Sequence, residues 1–342
     1  MTRRALAPIT AMPIALAAML LLAGCASAGS GEDEPTAAAS DAAGTAARGS
    51  GFVHELAFVP AGDDISYGDI EAAQAALGIE EGGTLEDIYR PLETELGFIT
   101  PQSFSWYKLD LAGEVAKVLG LSLVDVERFV ETGGRSEAVL AFEAPGDAAE
   151  RLTEALGEPV DGAWMRGDDG AIDLGLGEAE MYSQRIALID DQVVITSSER
   201  QLQMVLDGTT ASTDEQAVAA AQALDERGVL SAAIHPTEEG SLAGYLGAGL
   251  TKDADGALVH IVAVTDGDAE ALGESMREFY EQGATLQGDP LAELSDELEG
   301  TPYSEYFTVE NVTVDGDTVV VDARPVGDPA AWSALLFRGE LW

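Results

Sequence analysis

From Gly51 onward the chain alternates short apolar runs of strand character with stretches in which apolar residues recur every three or four positions. These are the periodicities of strands and amphipathic helices. Glu137 to Phe142 (EAVLAF) predicts a strand, and Gly146-Asp147-Ala148 then leads into a helix carrying Leu152, Ala155 and Leu156. Val259 to Val264 (VHIVAV), Gly267-Asp268-Ala269 and a helix through Leu272, Met276 and Phe279 repeat that order. Further on, Arg185 to Ile189 and Val193 to Thr196 flank the turn Asp190-Asp191, and a helix through Leu202 and Val205 follows. The counterpart is Val309 to Val314 and Thr318 to Val321 around Asp315-Gly316, a strong hairpin signal, with a helix through Trp332 and Leu335. Two pairs of features at nearly one offset predict an ancient duplication.

A third pair sits at a larger offset. Ile65 to Tyr67 feeding a helix over Glu71 to Leu77 matches Leu230 to Ile234 feeding Leu242 to Leu246. The first half therefore carries an insertion, placed near 82–134, with helical spacing over Leu85 to Leu96, Ala112 to Leu119 and Val124 to Val130. The expected fold is α+β, in two related halves over residues 51–208 and 209–342. Each half has the order β-α-β, hairpin, α, with antiparallel sheets covered by helices on one face. The alternative is a single mixed sheet shared by both halves.

The start of the chain reads differently. Residues 1–24 hold Arg3 and Arg4, no acid, and an apolar run through Ile14, Leu16 and Met19 to Leu22. That is an export signal, too short to span a bilayer, which needs about 20 apolar residues. Leu22-Ala23-Gly24-Cys25 resembles the bacterial lipobox. The resemblance implies that the Cys25 thiol takes a diacylglycerol and that cleavage falls between Gly24 and Cys25. The partner so implied is membrane lipid, and the location is the extracytoplasmic face of the cell membrane. Residues 26–50 are Ala, Gly, Ser, Thr and acid with Arg48 as the single base. Such a composition cannot build a core and predicts a tether reaching roughly 25 to 30 Å. Cys25 is the sole cysteine, so no internal disulfide and no cysteine nucleophile is expected in the folded part.

Charge narrows the function classes. Seventeen Lys and Arg stand against 62 Asp and Glu, a net −45; removing Arg3 and Arg4 with the leader leaves 15 against 62, or −47. Nucleic acid is excluded as a partner, because its affinity rests on neutralising phosphates, and so is docking of the protein surface on anionic lipid. The sparse lysines (Lys108, Lys117, Lys252) and the lone Asn311 point to a GC-rich bacterial genome. Phe58-Val59-Pro60-Ala61-Gly62-Asp63, and Gly120-Leu121-Ser122 with Asp125 before Glu131-Thr132-Gly133, resemble stretches of uncharacterised actinobacterial secreted lipoproteins and membrane-anchored proteins. The likeness covers short patches; it implies location and lineage and no site residue.

Candidate chemistry is thin. His54, His235 and His260 are scattered, and no Gly-x-Ser-x-Gly elbow occurs, so no serine-hydrolase triad is expected. Asp63-Asp64, Asp168-Asp169 with Asp173, Asp253 with Asp255, and Asp266 with Asp268 are carboxylate pairs of the kind calcium uses, yet none follows an EF-hand pattern. Gly167 to Gly177 reads as a hairpin loop, and Phe104, Trp106 and Tyr107 as packing between inserted helices rather than a ligand platform. The apolar tail from Ala331 reads as a final helix with Trp332, Leu335 and Leu336 on one face, a partner-binding peptide being the alternative. No catalytic, cofactor or metal site is expected. The leading expectation is a non-enzymatic envelope lipoprotein acting in binding or envelope organisation. A solute- or lipid-binding protein is the second, marked by an apolar pocket between the repeats or lined by Phe104, Trp106 or Leu119. A hydrolase using two facing carboxylates is the third.

Overall fold

The computed structural model describes residues 51–62, 64–80, 83–100, 119–122, 124, 126–133, 138–165, 185–237, 240–281, 302–327, 332 and 335. Cys25, the tether, the three aromatics at 104, 106 and 107, the 167–177 stretch and Asp63 and Asp125 lie outside them.

In chain order the strands are β1 (Ile65–Asp69), β2 (Arg128–Thr132), β3 (Val139–Glu143), β4 (Ala163–Met165), β5 (Arg185–Ile189), β6 (Gln192–Thr196), β7 (Ser231–Pro236), β8 (Tyr245–Asp253), β9 (Gly256–Val264), β10 (Phe307–Asp315) and β11 (Thr318–Pro325). All eleven join one antiparallel sheet in the order β10-β11-β9-β8-β7-β1-β2-β3-β6-β5-β4. The seam is the β1–β7 pair, where Ile65 lies opposite Ile234 and Tyr67 opposite Ala232. The described strands thus form one sheet, and every pairing in it is antiparallel rather than mixed.

The helices are α1 (Phe52–Glu55), α2 (Ile70–Leu77), α3 (Leu85–Pro91), α4 (Ala148–Leu156), α5 (Glu199–Leu206), α6 (Glu215–Asp225) and α7 (Ala269–Glu281). They cover both faces of the sheet, not one. The reason lies in the strands: in β9, Val259, Ile261 and Ala263 join one apolar layer while Val262 and Val264 join the other. A strand apolar at both parities has no face to give to water. Helices α2, α3, α4 and α7 pack on the first layer, and α1, α5 and α6 on the second. Each side chain so buried contributes roughly 1.5–3 kcal/mol. In α7 the buried positions Ala269, Leu272, Gly273, Met276 and Tyr280 keep helical spacing. Gly273 is required there, since a Cβ would meet Val314 Cγ2 at 2.7 Å.

Two expected helices are not helices. Val124 to Val130 runs into β2, because Phe129 and Val130 feed opposite layers and pair with Gly68 and Tyr67 of β1. Leu242 to Leu246 is a loop entering β8, whose Gly247 and Gly249 suit a strand under close cover. In the inserted region the helix expected over Leu85 to Leu96 is α3 followed by a π turn, Leu92–Leu96. Most of Ala112 to Leu119 lies outside the described residues.

Chain entry is fixed by a distant cap. The carboxylate of Asp225, at the end of α6, accepts the N–H groups of Phe52 (2.7 Å) and Val53 (2.9 Å), satisfying the open first turn of α1. Asp225→Ala should cost about 1 kcal/mol and speed amide exchange over residues 52–58. An unchanged denaturation midpoint with unchanged exchange would refute that role.

Candidate functional site

Two polar groupings interrupt the second apolar layer. The first gathers at the ends of β1, β2, β3 and β6. Register places Asp69 opposite Arg128, and Glu143 opposite Gln192; Arg128 and Glu143 form an ion pair across β2 and β3. Glu55 of α1 descends on this row and is 1% exposed. Its Oε1 accepts from Gln192 Nε2 at 3.4 Å, and its Oε2 has no hydrogen-bond partner among the described residues. Burial, opposed by Arg128 and reinforced by Glu143, Asp191 and Asp69, pushes the Glu55 carboxyl from 4.5 to about 8. Burial raises Asp69 as well, against the N–H it accepts from Ala72 as the cap of α2. Tyr67, stacked on Phe52 with centroids 5.0 Å apart, is pushed up by burial and by Asp69. The grouping is a partly buried charge network around Glu55, whose carboxyl burial holds well above the usual carboxylate range.

The second grouping appears when one row of the same face is followed outward from the seam. On the β1 side the row reads Tyr67, Val130, Ala141, Val194, Ala187, apolar apart from the Tyr67 hydroxyl. On the β7 side it reads Ala232, Gly249, His260, Asp322, Asn311. Gly249 makes room for α6: a Cβ there would meet Val229 Cγ1 at 2.6 Å and Leu224 Cδ2 at 2.9 Å. Beyond it, His260 Nδ1 lies 2.7 Å from Asp322 Oδ1, and His260 Nε2 lies 2.9 Å from Thr251 Oγ1. Burial lowers the His260 pKa, overcoming the pull of Asp322. A neutral ring then donates from Nδ1 to the carboxylate and accepts the Thr251 hydroxyl at Nε2. Arg227, two residues beyond α6, approaches Asp322 Oδ1 with Nε at 3.5 Å and donates to Ala223 O at 3.0 Å and Thr313 Oγ1 at 3.4 Å.

Hydroxyl, imidazole and carboxylate in line have the order of a hydrolase triad. The setting does not support that chemistry. His260 is 5% exposed, and Arg227 is engaged with Ala223, Thr313 and Asp322 rather than aimed at the Thr251 hydroxyl. What the array does is fix the end of α6 against β9 and β11.

Beside it lies a cleft of about 440 Å³ between α6 and the β10–β11 hairpin. Gln222, Glu226 and Arg227 form one wall, and Thr313, Asp315 and Thr318 the floor. On the other arm, α5 packs Leu202 and Val205 onto β5 and β6 and closes this face. After β11, Trp332 and Leu335 are buried in the opposite layer. Among the described residues no helix packs on the second arm at the place that α5 takes on the first.

The residues singled out in the sequence are scattered. His54 is exposed and makes an edge contact with Phe58; His235 is half-buried at the end of β7, and burial lowers its pKa. Asp253 pairs with Arg324 and accepts the Asp255 N–H, while Asp268 accepts the Ala271 N–H at the start of α7. Among the described residues no group of three His, Cys, Asp or Glu side chains converges as a metal site would need. Leu119 is packed in the core at 1% exposure and lines no pocket described here. The cleft residues were missed because only sheet register brings them together; the Asp315-Gly316 turn was the one local signal nearby.

No family model matches the chain, and no curated protein sequence does. Solved structures with some likeness include crystal forms I and III of TP0453. Form I aligns over 82% of this chain and 96% of that one at 8% identity with a TM-score of 0.36. Form III aligns over 81% and 96% at 9% identity with a TM-score of 0.32. Likeness at this level transfers neither a topology nor an activity. No helix of the described residues is long and apolar enough to cross a membrane.

Proposed function

We propose that the chain is an extracytoplasmic lipoprotein, held to the bacterial membrane through acylated Cys25, whose folded body binds a solute rather than transforming one. The anchor rests on Leu22-Ala23-Gly24-Cys25 and the coreless stretch that follows it. The binding role rests on one observation: among the described residues, the face closed by α5 on one arm carries on the other a cleft floored by hydroxyl and carboxylate groups. The polar lining favours a solute over a lipid tail.

The body is proposed to be a tandem duplication over residues 51–208 and 209–342, the first half carrying an insertion near 82–134. Support comes from the strand order. Outward from the seam, β1-β2-β3-β6-β5 on one side mirrors β7-β8-β9-β11-β10 on the other. In addition, α1 precedes β1 as α6 precedes β7, and α4 follows β3 as α7 follows β9.

Growing the producing cell with an alkyne fatty acid tests the anchor. The wild type should take up label and Cys25→Ala should take up none; a labelled variant would overturn it. Native mass spectrometry of the mature chain tests the binding role, with a co-purifying small molecule as the expected result.

A further inference from the structure

We infer that residues 51–58 form a strap that swings off the second apolar layer when Glu55 ionises, turning on a hinge at Val59 and Pro60. The strap consists of α1 and the 3₁₀ turn Leu56–Phe58. Its hinge is pinned: Val59 O accepts the Ala211 N–H at 2.9 Å, and Pro60 bridges to Thr210. Before the hinge, no backbone–backbone hydrogen bond among the described residues ties the strap to another element. Side chains hold it instead. Asp225 caps Phe52 and Val53, Phe52 stacks on Tyr67, Gln192 reaches Glu55, and Phe52, Leu56 and Phe58 are buried. The strap can therefore leave without unpairing a strand, and in leaving it bares the Tyr67 ring.

Of these contacts, Glu55 is the one whose sign a proton reverses. Its side chain is buried, and Oε2 has no hydrogen-bond partner among the described residues. The charges acting on it come from Arg128 on β2, Glu143 on β3, Asp191 in the β5–β6 turn and Asp69 at the end of β1. That is one base against three acids, and the base is already ion-paired with Glu143. A carboxylate so placed is costly to keep charged and gains by moving into water. The protonated acid, by contrast, suits the site. Gln192 Oε1 is also buried without a hydrogen-bond partner among the described residues, and half a turn of the Gln192 amide brings it to Glu55, where the acid hydroxyl donates to it. In keeping with this, burial pushes the docked carboxyl from 4.5 to about 8. Swung out, the carboxyl titrates near 4.5, so between the two values opening releases one proton and the open fraction rises about tenfold per pH unit. Asp225, facing the strap from α6, is raised by burial and acts in the same direction; Tyr67, raised further from its ordinary value, stays protonated.

Native-state hydrogen exchange of the full chain in neutral detergent, at pH 6, 7 and 8 and across low urea concentrations, tests the strap. Once the intrinsic pH dependence of exchange is divided out, opening of residues 52–58 should rise about tenfold per pH unit and should not respond to urea. Amides of β1 and β7 should open far more rarely and follow urea steeply, because their opening exposes the whole core. Glu55→Gln should remove most of the pH rise over 52–58. Asp225→Ala should open the strap about fivefold more at each pH and leave the rise in place. If residues 52–58 share the urea dependence of β7, α1 leaves only when the whole protein unfolds, and there is no strap. Urea-independent opening that is flat with pH, or that rises as steeply in Glu55→Gln, would remove Glu55 as the trigger and overturn the inference.

Discussion

Glu55→Gln should make the protein more stable at pH 8 by on the order of 3–5 kcal/mol and leave its stability at pH 4 almost unchanged. In the unfolded chain this carboxyl titrates near 4.5, and in the fold at about 8. Below 4.5 both states hold the proton and the residue contributes no pH dependence. Between the two values the unfolded state has released a proton that the folded state keeps, so stability falls as pH rises. Above 8 both states are ionised and the loss is complete. Glutamine is neutral throughout and keeps the shape of the protonated acid, including an oxygen for Gln192 Nε2. Urea denaturation at pH 4, 6 and 8 reads the difference directly. A shallower slope of the same sign should persist in the variant, because Asp69 and Asp225 are also raised by burial. Parallel profiles for the two proteins would remove Glu55 as the cause.

Trp332→Ala should cost about 3–5 kcal/mol, the range for removing a large buried aromatic, and lower the melting temperature on the order of 5–10 °C. Trp332 is wholly buried in the layer under α7, and Leu335 joins it there. The indole N–H has no hydrogen-bond partner among the described residues, and the ring packs in an apolar cluster. Trp332→Phe should therefore lose much less than the alanine variant. A melting curve for Trp332→Ala that overlays the wild type would instead return the tail to a partner-binding role.

Local pattern revealed most of the sheet. The hairpins β5–β6 and β10–β11 announce themselves because their strands are short runs rich in β-branched residues and their turns carry Asp190 and Gly316, both at positive φ. Val124 to Val130 misleads because Val126, Phe129 and Val130 fit helical spacing as well as they fit a strand buried on both sides. Leu242, Tyr245 and Leu246 likewise share a helical face, and what decides for a strand is pairing with β7 and β9 from elsewhere in the chain. Cover on two faces was written in β9, where neither parity is polar apart from His260. The cleft was illegible for a different reason. Thr251, His260 and Asp322 become neighbours only through register, and Arg227 arrives from the turn after α6, so no spacing in the sequence marks them.

The β1–β7 seam also sets an order in time. Synthesis delivers the chain from its N-terminus, so β1 and β2 emerge early while the second edge of β1 waits for Ala232 and Ile234. Until then that edge offers unpaired N–H and C=O groups, an open template for another chain. Helix α1 waits too, since the cap on Phe52 and Val53 comes from Asp225. Closing contacts so distant in sequence is slow. The strands from β1 to β6 therefore stay incomplete at the seam until β7 has been made.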